Sequence, residues 1–171
     1  MIRIGDYNTL TAVRSTSVGV FLEDEEGTEI LLPNKYVPEN IKLEEQLAVF
    51  CYLDHEERPI ATTLEPFIKR DEFGALEVAE VNNVGAFLNW GLEKQLFVPF
   101  REQQQRMEQG KCYVVYCYLD DTSFRMMASS KLDRFYSKEV ATYTQNEQVS
   151  LLVHRRTNLG WEVVINKEHK G

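Results

Sequence analysis

The chain has 171 residues, 43% hydrophobic and 27% charged, a balance that excludes disorder throughout. It carries a formal charge of −8, no run approaching the roughly 18–20 apolar residues of a membrane helix, and no signal-peptide core in its N-terminal "MIRIGDYN". It therefore reads as a cytoplasmic protein with no membrane partner. Three cysteines at irregular spacing argue against a disulfide framework. Cys51 and Cys117 fall on apolar strand faces as small core residues, and Cys112 and Cys117, five apart, point to opposite faces. His55, His154 and His169 form no cluster with the ligand spacing of zinc. No Ser/His/Asp order or Gly-rich phosphate loop is present, so no catalytic residue, metal or cofactor is assigned and no enzyme is expected.

In chain order, a strand around Leu10 and Ala12 leads into "VGVFL" at 18–22, the turn "EDEEGT" at 23–28, and an apolar strand ending at Pro33. The polar stretch "NKYVPENIKLEEQ" has room for one short helix or 3₁₀ turn. It precedes "VFCYLD" at 49–54, an Asp-rich corner, and a last strand with Arg58, Ala61 and Thr62. The same order then recurs. "VYCYLD" at 115–120 repeats "VFCYLD" at five of six positions, and an offset of 66 pairs Leu10 with Leu76, Ala12 with Val78, Val18 with Val84, Gly19 with Gly85, Phe21 with Phe87, Leu22 with Leu88 and Pro33 with Pro99. One inserted residue shifts the offset to 67, which pairs Arg58 with Arg125 and Ala61 with Ala128. A third copy opens near Val149, where Leu151 and Val153 correspond to Leu76 and Val78, and Leu159-Gly160 to Val84-Gly85. The units are 1–65, 66–136 and 137–171, the last a linker and an incomplete copy. A natural chain continuing past Gly171 is the favoured explanation for that incompleteness.

In "CYVVYCYLD", Tyr113, Val115, Cys117 and Leu119 share one strand face and Val114, Tyr116, Tyr118 and Asp120 the other. Gly19 and Gly85 sit inside strands, where glycine marks a bulge or a barrel corner. Five short strands per unit, with a polar connection between the third and fourth, describe a small Greek-key barrel that closes and so leaves no bare edge. The fold class is all-β, tandem five-stranded barrels with a partial third copy. "KLDRFYSKEVATYTQ" is a candidate linker helix before the third copy.

"VGVFL" and "VGAFL", each followed by a strand ending in proline and then by "VxCYLD", resemble the RNA-binding barrel named for ribosomal protein S one, an OB fold. The stretch "VGAFLNWGLEKQLFVPFREQQQRMEQGKCYVVYCYLD" with "ASSKLDRF" is similar, more closely, to the bacterial conserved virulence factor B family. The resemblance spans residues 5–171 and is strongest over 84–135. It implies several such barrels before a winged-helix domain absent from this chain, through which DNA would be a further partner. It also implies a role as a post-transcriptional or expression regulator. Pro33 and Pro99 stand where the S-one barrel often has a histidine, which removes one RNA contact. In the third copy Glu162 takes the Phe position and Trp161 moves to the opposite face, so RNA binding there is not expected.

The expected ligand is single-stranded RNA held mainly by the second barrel. Phe87 and Tyr116 lie on the non-core face and offer rings on which unpaired bases stack, with Tyr118, Trp90 and Phe100 as further candidates. Arg101, Arg106, Lys111, Lys131, Arg134 and Arg125 supply cations for phosphate. The resemblance places Arg125, at the start of the last strand, as a basic contact. The first barrel keeps Phe21 and Tyr52, but "EDEEGTE" sets five carboxylates in seven residues and its unit carries net charge −8, against −1 and +1 in the other two. It is expected to add little RNA affinity and to be a surface for protein contact. The alternative for the whole chain is a tandem small-barrel protein-interaction module.

Overall fold

The structure, a computed structural model, describes residues 1–171. Strands β1 (Asp6–Ser15), β2 (Gly19–Glu23), β3 (Glu29–Pro33), β4 (Gln46–Leu53) and β5 (Pro59–Thr62) close into a barrel in the order β1-β2-β3-β5-β4. Antiparallel pairing of β1 with β4 and a short parallel pairing of β3 with β5 complete it. Period-two alternation turns Leu10, Ala12, Val20, Leu22, Ile30, Leu32, Val49, Cys51 and Ala61 inward, all nearly inaccessible. Each fully buried leucine among them contributes about 1.5–3 kcal/mol of transfer free energy. The acidic hairpin between β2 and β3 is held by Asp24, whose carboxylate accepts from the backbone N–H groups of Glu26 and Thr28. The N-terminal ammonium pairs with Asp24 and Glu26 at 3.1 Å.

The second repeat builds the same object: β6 (Glu72–Val81), β7 (Gly85–Asn89), β8 (Leu96–Pro99), β9 (Cys112–Leu119) and β10 (Met126–Ser129) form another closed barrel. The polar segments after β3 and β8 contain the short 3₁₀ turns Asn34–Tyr36 and Phe100–Glu102. The third copy is an open three-stranded sheet, β11 (Leu151–Thr157), β12 (Gly160–Ile165) and β13 (His169–Lys170). By contacts the chain forms two compact units. One comprises Met1–Arg70 with Gly91–Lys94 and Leu119–Met126, the other Asp71–Trp90, Gln95–Tyr118 and Met127–Gly171.

One irregularity recurs in all three copies. The pairing of the first strand with the second slips by one residue between Ala12 and Arg14, between Val78 and Glu80, and between Val153 and Arg155. Such a bulge bends the strand sharply, and it brings opposite each other Arg14 and Phe21, Glu80 and Phe87, and Arg155 and Glu162. The glycine opening β2 or β7 is required by close packing. A Cβ on Gly19 would lie 2.1 Å from the Leu32 carbonyl oxygen, and one on Gly85 2.4 Å from that of Val98 and 2.8 Å from the Phe97 ring.

The expected linker helix is absent. After β10 there is one 3₁₀ turn, Leu132–Phe135, and Tyr136 leaves it in extended geometry. The reason is packing. Leu132 is buried with Phe73, Val114 and Val164, and Phe135, Tyr136 and Leu152 pack against that cluster. The third sheet is thus fastened to the outside of the second barrel through Leu152 and Val164. Its burial is inverted relative to the complete barrels: Leu151, Val153 and Trp161, equivalents of core Leu76, Val78 and Ala86, are 52%, 56% and 64% exposed.

Candidate nucleic-acid interface

On β7 and β8 the inward residues are Ala86, Leu88, Leu96 and Val98, all at or below 1% exposure, so Phe87 and Phe97 point outward. They are register partners, with ring centroids 5.1 Å apart and planes 27° from parallel. Both are half-buried. No guanidinium or ammonium lies over either ring, and the bulged strand presents exposed Glu80 opposite Phe87. Phe97 was not among the residues expected from the sequence. Two signals mark it: it alternates with core Leu96 and Val98, and it is the repeat equivalent of Leu31.

The first barrel closes the same face. Arg14 lies 3.8 Å above the centroid of half-buried Phe21, and the guanidinium is held there by two hydrogen bonds to the Glu29 carboxylate at 3.3 and 2.9 Å. Glu29 in turn holds the Arg14 charge above its ordinary pKa through these hydrogen bonds. In the second barrel Glu80 and Gln95 occupy those two positions, so no clamp forms and Phe87 stacks on Phe97 instead.

Two of the expected rings are corrected. Trp90 is 2% exposed and Tyr52 4%, so neither offers a face to a base. Trp90 has the inward parity of Ala86 and Leu88, and the turn-like string around it obscures that. Tyr52 is stacked on buried Phe50 at 6.4 Å, Phe50 meets Tyr7 edge-on at 5.4 Å, and burial pushes the Tyr52 hydroxyl up to about 12. The corresponding surface of the second barrel is also a packing face. Tyr116 is half-buried, stacked on Phe135 at 4.3 Å and tilted against Phe73 at 4.8 Å. Tyr118 meets Phe135 at 5.4 Å, with Arg134 5.8 Å from its centroid. Tyr136 stacks on Phe73 at 5.4 Å. Its buried hydroxyl has no hydrogen-bond partner, and burial pushes it up to about 12.

Among the cations, Arg101 and Lys131 are exposed and make no ion pair. Arg106 stacks its guanidinium 3.9 Å from the centroid of half-buried Phe100, a cation–π contact that leaves its edge free for an anion. Lys111 pairs with Glu108. Arg134 is bound to Glu102, which is only 7% exposed. Arg125, in the connection from β9 to β10, groups by contacts with the first unit, is 58% exposed and lies 3.7 Å from Glu57. In the third copy Arg155 binds Glu162 at 3.1 Å, with Lys170 at 3.7 Å.

This architecture is a tandem of two closed OB-type barrels with an open third copy. Residues 4–64, the first barrel, match the S1 domain family model. The chain is 40% identical over 98 residues to an uncharacterized protein of Bacillus subtilis (strain 168), YitL, and the match takes in 57% of this chain and 33% of that protein. It also superposes with a TM-score of 0.67 on the crystal structure of a multidomain protein with nucleic acid binding domains from Streptococcus pneumoniae, covering 97% of this chain and 60% of that one at 18% identity. The chain thus spans about a third of the curated relative and three fifths of the solved one. At that identity the structural likeness concerns the fold. No helix is long and apolar enough to cross a membrane.

Proposed function

We propose that the chain binds single-stranded RNA, chiefly through the outer face of β7 and β8. The observation carrying this reading is the Phe87–Phe97 pair, two half-exposed rings with no cation over them, where the first barrel has a ring capped by Arg14 and an aliphatic Leu31. Bases stack on such rings with little regard to sequence, at roughly 1–3 kcal/mol each. The S1 match of the first barrel and the nucleic acid binding domains of the structural neighbour support nucleic acid as the ligand class. Arg101, Arg106, Lys111 and Lys131 supply the second unit's cations for phosphate. In a regulator of transcript or translation fate, such a module would hold RNA for the rest of a longer protein. The acidic first barrel, whose Phe21 is clamped under Arg14, contributes little to the grip.

The test is a titration of the whole chain with a fluorescently labelled oligouridylate, read by anisotropy at 50 and 200 mM salt. Four phosphate contacts give a slope of log K against log salt near about −3, hence a loss of roughly 50-fold across that range. Phe87→Leu is expected to weaken binding at both salts. Binding that ignores salt and survives Phe87→Leu would overturn the RNA reading in favour of a protein-interaction module.

A further inference from the structure

A groove of about 680 Å³ opens in the second unit, on the opposite side of β6 from the Phe87–Phe97 pairing. Its walls come from β6, β9, the 104–111 loop and the β11 segment 153–155. That volume falls within the roughly 300–1,000 Å³ of pockets that enclose small ligands. Two kinds of surface meet there. The polar wall is rich in donors: Arg106, Lys111, Arg155, the amides of Gln104 and Gln105, and His154, against the single lining carboxylate of Glu108. Arg106 has no carboxylate partner; its guanidinium is propped on Phe100. Glu162, which binds Arg155, is almost inaccessible behind it.

The apolar wall is formed by Ala75, Val114, Val153 and the Tyr113 ring. Val153 is 56% exposed, because the third sheet turns outward the residues that the complete barrels bury. The Tyr113 hydroxyl accepts from the backbone N–H of Glu108, which fixes the ring at the groove's edge and leaves its O–H proton to donate. A ligand suited to both walls carries acceptor oxygens with negative charge on one side and a flat apolar surface on the other. A nucleotide within a single strand has this form. In a chain of charge −8 this is a local concentration of cations, and exposed charges farther away are screened beyond about 8 Å at physiological salt.

We propose that this groove is a second contact for single-stranded RNA, with a phosphate held by Arg106 and Lys111 and the adjoining base laid against Tyr113 and Val153. The assignment rests on the RNA-binding reading above and extends it from the second barrel to the third sheet. The third copy would then act through its first strand, even though Glu162 has replaced the aromatic of its second.

A native reporter sits in the groove. Cys112 lines it and is exposed, whereas Cys51 and Cys117 are buried. Alkylation of Cys112 by iodoacetamide is followed by mass spectrometry on the whole chain, with and without a twelve-nucleotide oligouridylate, while anisotropy in the same samples reports saturation. The expected result is an alkylation rate at least tenfold slower at saturation. Arg106→Gln with Lys111→Gln should weaken binding about fivefold or more and restore the free rate when RNA is again saturating. RNA that saturates while Cys112 reacts at its free rate would overturn the groove and leave RNA binding intact. Protection that persists in the double variant would also overturn it, by placing the shielding RNA on another face. Uridine monophosphate protecting equally at equal nucleotide concentration would replace the strand with a free nucleotide. Absence of any RNA binding by anisotropy would sink the functional reading itself, and the groove with it.

Discussion

Replacing Phe97 with leucine separates stacking from folding, because the molecule already contains the product of that substitution. Leu31 occupies the same place in the first barrel, paired with Phe21 as Phe97 is with Phe87, so a leucine there is compatible with closure. Phe97→Leu removes one ring from the pair. The ring–ring term is worth about 0.5–1.5 kcal/mol beyond area burial, which for a domain of this size lowers the melting temperature by roughly 2–12 °C and leaves the barrel folded. Loss of one stacked base costs about 1–3 kcal/mol of binding free energy, or about 5- to 150-fold in Kd at 1.4 kcal/mol per decade. Anisotropy with labelled oligouridylate measures the affinity, and circular dichroism melts confirm the fold. Phe97→Tyr, which keeps a ring, should bind within about twofold of the native chain. A folded Phe97→Leu protein with unchanged affinity would show that bases do not stack on β7 and β8.

Glu80→Gln removes the carboxylate opposite Phe87; at about 6 Å from a phosphate in water its repulsion is roughly 0.7 kcal/mol, so affinity should rise about threefold at low salt, and a fall would contradict the placement of the strand. Gly85→Ala forces a Cβ to within 2.4 Å of the Val98 carbonyl oxygen and 2.9 Å of the Pro99 Cα; urea denaturation should show a loss exceeding about 1 kcal/mol, and an unchanged midpoint would refute the close approach. His154 is half-buried, and burial sets its pKa below the ordinary 6.5 against the opposing charges of Glu162 and Asp133, with Arg155 and Lys170 assisting the shift. The folded imidazole binds its proton less tightly than the unfolded one, so its stabilising effect is present above pH 6.5 and lost as pH falls through the lower folded value. Melting temperature should therefore drop from pH 7.5 to 5.5 more steeply for the native chain than for His154→Gln, and parallel profiles would refute this.

Much of the fold is legible because period-two burial and the two offsets, 66 and 67, constrain each other. A strand whose alternate residues are Leu10 and Ala12 in one copy and Leu76 and Val78 in the next has its inner face determined twice. The same parity could have placed Trp90 inside with Leu88 and Phe97 outside between Leu96 and Val98, but "NWGLEK" reads as a turn and hides where the strand ends. Alternation says which way a side chain leaves the sheet; it does not say what then covers it. Tyr116 does leave the core face of β9, yet Phe135 comes from sixteen residues beyond the strand's end at Leu119 to lie 4.3 Å away. The inversion of the third sheet was invisible for the same reason. Its sequence resembles a barrel's first hairpin, while its contacts through Leu152 and Val164 depend on the apolar cluster it meets.

The bulge common to the three copies accounts for how one scaffold yields three different surfaces. It fixes a residue of the first strand opposite a residue of the second, and the chemistry of that pair decides what the outer face can do. Arginine opposite phenylalanine, with Glu29 to hold it, caps the ring. Glutamate opposite phenylalanine cannot cap it, and the exposed ring instead finds Phe97. Arginine opposite glutamate makes an ion pair whose acid is 7% exposed, a charge that would be costly to bury without Arg155 and Lys170 beside it. The middle pairing leaves its phenylalanine uncapped, because Glu80 stands in place of Arg14 and Gln95 in place of Glu29. In this chain the residue after the bulge, together with the one at the Glu29 position, therefore separates the barrel that presents its β2-type phenylalanine from the one that caps it.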